Sequence, residues 1–206
     1  MHSCRLPSIE DMDISTIALA LGSSLSAGLN LYLTVLALGL LQRFEVLKLP
    51  PALEVLSHPW ILIAAGLLFL IEFVADKVPY VDNTWDAIHS FIRVPAGAIL
   101  AIGVLGDLPS HWVWLVALLG GFVSFSAHGA KASTRLAVNS TPEPFSNWIL
   151  SFGEDILSLG VIWLASSHPF LAIIFGLILL TCFVGIMVLF FKFFKAFFRK
   201  LKPAGN

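Results

Sequence analysis

Charge is what this sequence has least of: 12% of its 206 residues are Asp, Glu, Lys or Arg, against 58% that are hydrophobic. So little polar cover cannot enclose that much apolar surface in a water-soluble domain of this size, and the composition places the chain in a bilayer. A net charge of −1 leaves no broad basic surface, which excludes nucleic acid as a partner. Cysteine is scarce as well. Cys4 and Cys182 stand far apart, so neither a CxxC metal pair nor a disulfide framework is present. No HExxH, Walker or other catalytic signature occurs, and no motif calls for a cofactor. The opening stretch MHSCRLPSIEDMDIS has none of the basic region, short apolar core and cleavage site of a secretory signal. It carries Glu10, Asp11 and Asp13 instead, and Asp13 or Ser15 reads as the N-cap of a retained first span.

Long apolar runs are what the chain has in quantity. Segments able to cross about 30 Å of hydrocarbon lie near 14–41, 60–75, 87–106, 112–132, 148–165 and 169–191. The expectation is an all-α polytopic membrane protein with six transmembrane helices arranged as three hairpins. Residues 1–191 form one transmembrane domain and 192–206 a basic tail. Arg5, Lys77, Lys131, Arg135, Lys192, Lys195, Arg199, Lys200 and Lys202 fall on one side of this arrangement, and only Arg43 and Lys48 on the other. The positive-inside rule then puts both termini in the cytoplasm. In the tail FFKFFKAFFRKLKPAGN, cations at helical spacing alternate with Phe193, Phe194, Phe197, Phe198 and Leu201, the pattern of an amphipathic helix lying on the inner leaflet.

Three places share a signature: SHPWILIAAG from Ser57, SHWVWLVALLGG from Ser110 and SHPFLAIIFG from Ser167, each before an even-numbered span. The pattern fits stacked hairpins, although a second match, SLSAGLNLYLT with SFSAHGAKAST, pairs an odd span with an even one and fits no single scheme. His58, His111 and His168 read as turn residues at helix starts, where Ser caps and Pro is favoured at the first position.

The few charges are not scattered. Glu72 and Asp76 lie four apart on the second span; Asp82, Asp86, His89 and Arg93 form one stripe of the third; His128, Lys131 and Arg135 form one stripe of the fourth; Glu154 and Asp155 sit inside WILSFGEDILSLG on the fifth. If Trp85 and Trp148 mark one interface, Arg93 lies roughly 12 Å and Glu154 roughly 9 Å beyond it, so Arg93 is expected to pair with Glu154 or Asp155. An ionisable group inside a membrane costs about 2.5 to 3.5 kcal/mol on insertion scales, so these side chains should face the bundle interior around a wet, cytoplasm-facing pocket. The loop 139–148, with its prolines, is placed to cover it. Lys131, near the end of its span, would be replaceable by an apolar chain at small cost if it serves a solute.

The strings AGLNLYLTVLALGLL, FVADKVPYVDNTWDAIH with RVPAGA, and AHGAKASTRLAVNSTPEPFSNWILSFGEDILS together resemble the bacterial membrane family catalogued as domain of unknown function 4126, over nearly the whole chain. The resemblance implies a multi-span protein of the bacterial inner membrane with these strings in one site, and it brings no established activity. Three functions stay open. A transporter or channel would hold a small anionic solute or ion with Arg93, Lys131, Arg135 and His128, couple protons or cations through Glu72, Asp76, Asp82, Asp86, Glu154 and Asp155, and use glycines 22, 28, 97, 120 and 121 for close helix approach. A membrane enzyme acting on lipid or phosphorylated headgroups would instead use Asp82, Asp86, His89 and Asp155 as hard oxygen and imidazole ligands for a metal. A structural protein would use the charges only to tie helices together. The bilayer and a small solute or ion are the expected partners, and association with a second copy is open.

Overall fold

The computed structural model describes residues 13–78, 81–106, 108–139 and 144–201, and among them there is no β-strand. Seven helices follow one another: α1 (Ile14–Leu29), α2 (Leu31–Arg43), α3 (Pro59–Ala75), α4 (Val81–Leu105), α5 (Ser110–Val138), α6 (Pro144–Ser167) and α7 (Pro169–Leu201), with a 3-10 segment, Pro51–Ser57, before α3. Arg5, Cys4, Lys202 and the middle of the expected covering loop lie outside the described residues.

The first apolar run does not cross. Asn30 interrupts it in extended backbone, φ −147° and ψ 99°, and its side chain accepts the Leu33 N–H at 3.0 Å, capping α2. A short polar side chain that bonds the backbone locally competes with the helix, and here it starts a new one. The hydroxyls of Ser26 and Thr34 meet at 2.6 Å. Along a continuous helix, residues eight apart are separated by about 12 Å. The chain therefore folds back at Asn30, and the two open ends of the hairpin meet, with Ser15, Thr16, Leu47 and Lys48 lining one small cavity beside Val104 and Ala165. At the start of α1, Asp13 occupies the N-cap position without a side-chain cap bond; the Ser15 hydroxyl donates to its carboxylate at 2.8 Å and holds that exposed group below its ordinary pKa.

Among the described residues four helices are long and apolar enough to cross a membrane, Val81–Leu105, Ser110–Val138, Phe145–Ser167 and Pro169–Phe197, and Pro51–Ser57 with Pro59–Ala75 passes the same test only as a pair bent by 67°, the form of a broken span or of a re-entrant segment. This is a membrane protein, but six continuous spans and a first span over 14–41 are not what forms. A hydropathy window registers apolar length, and one asparagine that reverses the chain leaves that average untouched.

Helix α1 lies at the centre, with 11 of its 16 residues buried. It runs antiparallel to α4 and α6: Ser24 Oγ donates to the Gly97 carbonyl at 3.0 Å, Ser26 meets Ser158, and Asn30 meets Asp155. Small residues permit that crowding. A Cβ on Gly28 would collide with the Ser124 carbonyl, and one on Gly97 with the Ser124 side chain, so α1, α4 and α5 touch nearly backbone to backbone. Gly121, also expected to allow close approach, has only ordinary contacts, the nearest at 3.7 Å.

Ser57, Ser110 and Ser167 stand at or just before the starts of α3, α5 and α7, which all run from one end of the bundle toward the charged end. Helix α7 continues without a break through Lys192, Lys195 and Arg199, so its 33 residues, about 50 Å, outlast the hydrocarbon, and the basic tail is its projecting end rather than a separate helix. Because α1 and α2 return to the end they came from, Ile14 and Lys192 lie at opposite ends of the bundle. The six-span reading put them on one side.

Candidate functional site

Four of the helices bring their charged and imidazole residues to one end of the bundle. The end of α3 supplies Glu72 and, at the turn, Asp76; α4 supplies Asp82, Asp86, His89 and Arg93; α5 supplies His128, Lys131 and Arg135; α6 supplies Glu154 and Asp155. The structure brings all eleven expected residues into one cluster, and it encloses them: Arg93, Arg135, Glu72 and Asp82 are fully buried, while Glu154 keeps the largest exposure, 12% of its side chain.

Each of the three cations is paired with carboxylates, although Arg93 keeps one buried N–H, at Nε, without a partner. Arg93 pairs with Glu72, donates to Asp86 Oδ1 at 3.3 Å and donates to His128 Nδ1 at 3.0 Å. Lys131 sits among Asp76 at 3.0 Å, Glu72 and Glu154 at 3.4 Å and Asp86 at 3.8 Å. Its ammonium also donates to the Leu29 carbonyl at 3.2 Å, the exposed carbonyl end of α1. Arg135 binds Glu154 at 2.6 Å, Asp76 at 3.1 Å and Asp82 at 3.5 Å, and donates to the Asp76 carbonyl at 2.7 Å, so one guanidinium fastens the turn between α3 and α4 to α6.

The expected pairing of Arg93 with Glu154 or Asp155 does not occur. Asn147 Nδ2 donates to Asp82 Oδ2 at 3.1 Å, so Trp148 stands level with Asp82, nearly one turn short of Trp85. Measured from Asp82, Arg93 lies about 16 Å deep and Glu154, from Trp148, about 9 Å, so Glu154 meets Arg135 and Lys131 while Arg93 reaches Glu72. Nor is Lys131 a peripheral cation open to cheap replacement: its side chain is fully buried among four carboxylates.

Both histidines are fixed by their donors. Arg93 can only donate, so His128 Nδ1 accepts; Nε2 then carries the hydrogen, and it faces Ser90 Oγ at 2.6 Å and the Asp86 carbonyl at 3.2 Å. His89 Nδ1 lies 2.7 Å from the Trp85 carbonyl and therefore carries a hydrogen there, and Nε2 lies 2.9 Å from the Tyr32 hydroxyl. His128 is a neutral imidazole in this arrangement. Six carboxylates thus face Arg93, Lys131 and Arg135, with Lys77 near Asp76 and Asp155, so acidic groups outnumber these cations by two. The expected metal ligands go separate ways: Asp82 accepts from Asn139 and Asn147, Asp86 faces Arg93 and Lys131, His89 bonds Tyr32, and Asp155 bonds Asn30. Among the described residues no three His, Cys, Asp or Glu converge as a metal-binding group.

Sequence reasoning missed the hairpin tip. Asn30 spans the break, accepting from Leu33 N–H and donating through Nδ2 to Asp155 Oδ1 at 2.9 Å, and Tyr32 reaches His89. The signal was present: Asn30 is the one amide side chain in the apolar run 14–41. Asn139 and Asn147, which hold Asp82 between α5 and α6, were read only as parts of a loop.

Neither a curated protein nor a solved structure matches the chain. A family model does, over residues 17–189, a stretch that contains the hairpin and all eleven charged or imidazole residues of the cluster. The chain belongs to the family described as Domain of unknown function (DUF4126).

Proposed function

We propose that the chain is a membrane transporter or channel for a small solute or ion and that it works through the buried charged cluster. The observation that carries this reading is the hairpin break at Asn30, which brings non-helical backbone and two helix ends to the cluster. Irregular backbone at membrane depth is tolerated only inside protein or beside a cavity, and helix breaks of this kind are where transporters handle ions. The charge balance refines the solute class. Arg93, Lys131 and Arg135 already hold carboxylates, so an anion enters only by displacing one, whereas an acidic excess at this depth favours loading of protons or cations. By the positive-inside rule the cluster end, with Lys77, Lys192, Lys195, Arg199 and Lys200, faces the cytoplasm, in a bacterial cell the cytoplasmic side of the inner membrane.

A second reading, that the cluster only ties helices together, is favoured by the same pairing of the cations with carboxylates from neighbouring helices. The test is reconstitution into liposomes. Uptake is followed for small anions, phosphorylated metabolites and monovalent cations, with and without a pH gradient, and the purified protein is assayed in parallel for turnover of lipid headgroups. Gradient-driven flux that is lost in Asn30→Ala supports transport. Headgroup turnover without flux would point to the enzyme, and neither activity would leave the structural role.

A further inference from the structure

Five of the six carboxylates share a cation. Glu72, Asp76, Asp82, Asp86 and Glu154 each pair with Arg93, Lys131 or Arg135. Asp155 stands apart. It is 9% exposed, takes part in none of the described ion pairs and accepts from Asn30 Nδ2 through Oδ1; its Oδ2 has no hydrogen-bond partner, as is true of Glu72 Oε2, Asp76 Oδ1 and Asp86 Oδ2, but those three carboxylates are each held by a cation. The groups that face it are Asn30 from the hairpin tip, Lys131 from α5, Glu72 from α3, and Asp76 and Lys77 from the turn that follows; Glu154 is its neighbour in the chain. Two of those facing groups are carboxylates. The hydroxyl oxygens nearby are engaged with one another: Thr34 Oγ1 donates to the Asn30 carbonyl at 2.7 Å, and Ser26 bridges Thr34 and Ser158. A metal cation would have to break that network to gain ligands. A proton needs only the free oxygen.

We infer that Asp155 is the proton-loading group of this site and that Asn30 transmits its ionisation to the α1–α2 hairpin. The ionised carboxylate accepts a charge-assisted bond from Asn30, about twice as strong as the bond to a neutral acid. Taking up a proton on Oδ2 weakens that bond and relieves the repulsion from Glu72 and Asp76. Asn30 also caps α2, so a change at Asp155 reaches the helix that begins there. The role in a cycle rests on the transport reading; the titration and its link to the tip do not.

The test is hydrogen–deuterium exchange of peptides covering 26–34 in the full chain in nanodiscs, in potassium buffers from about pH 8 to about pH 5, corrected for intrinsic exchange. Wild-type tip exchange is expected to accelerate about tenfold toward acid, the weakening of one charge-assisted bond. Asp155→Asn should exchange at the fast level at every pH. Asp155→Glu, which keeps the titrating group should the amide variant not fold, should retain the response with a displaced midpoint. A flat wild-type profile, an unaltered response in Asp155→Asn, or a response that follows sodium rather than pH would overturn the inference. Titration at the tip without flux in liposomes removes the transport role and keeps the proton site; flux with a pH-insensitive tip does the reverse.

Discussion

Replacing Lys131 by methionine probes the cluster at its most connected point. The ammonium touches four carboxylates between 3.0 and 3.8 Å and the Leu29 carbonyl at 3.2 Å. Breaking a buried ion pair by removing one partner costs about 3 to 5 kcal/mol. Here each carboxylate keeps one guanidinium: Glu72 and Asp86 keep Arg93, and Asp76 and Glu154 keep Arg135. The expected loss is therefore at the lower end, about 3 kcal/mol, or about 6 to 12 °C in apparent Tm for a chain of this size. The pairs are buried, so raising the salt should change this little. Lowering the pH should shrink it, because protonating a carboxylate removes the charge that lost its partner. The assay is a thermal melt followed by size-exclusion in one detergent, for wild type, Lys131→Met and Lys131→Arg, at neutral and acidic pH. A Lys131→Met shift under about 2 °C at neutral pH would show that Lys131 is not the centre of the network, and a loss that grows toward acid would refute the charge argument.

Two further outcomes follow from the fold. Gly28→Ala drives a methyl into the Ser124 carbonyl, which cannot step aside, and should cost at least the 1 to 3 kcal/mol of ordinary overpacking, about 2 to 12 °C, whereas Gly121→Ala has room and should stay within about 1 kcal/mol of wild type in the same melt. In a background with Cys4 and Cys182 replaced by serine, cysteines placed at Ile14, Ser57, Ser110 and Ser167 should label from one side of the membrane and one at Arg199 from the other. A cysteine at Ile14 that labels with Arg199 would restore a crossing first span.

The sequence shows the membrane class, the cluster and the end of the bundle that holds it, because each depends on a local pattern: apolar length, or charges three and four residues apart on one stripe. Glu72 with Asp76, and His128 with Lys131 and Arg135, meet as their spacing requires. Partner choice is not local. Whether Arg93 finds Glu72 or Glu154 depends on how far α4 slides against α6, and the tryptophans taken as level markers differ by almost a turn. The hairpin leaves one local signal, the amide of Asn30, and that signal alone does not decide the turn. Asn30 has modest helix propensity but does not forbid a helix, and only the packing of α1 among α4, α5 and α6 decides that the chain turns there.

The same packing decides which part of the hairpin is free to respond to the cluster. Helix α1 is held at its inner end: Gly28 lies against the Ser124 backbone, and Ser24 bonds the Gly97 carbonyl. Helix α2 has 5 of 13 residues buried; its far end is tied to the segment before α3 by Gly39 against the Leu56 carbonyl and Arg43 bonding the Ser57 carbonyl, while its polar ties near the tip are Tyr32 with His89, Thr34 with Ser26, and Asn30 at its cap. Neutral hydrogen bonds of this kind contribute about 0.5 to 1.5 kcal/mol each, whereas leaving one member of a buried pair in the cluster without its partner costs about 3 to 5. A change of charge at the tip therefore acts on α2 before it disturbs α1 or the salt-bridged core. Asn30 joins a fixed helix to a looser one, and Asp155 is the acid that touches the joint.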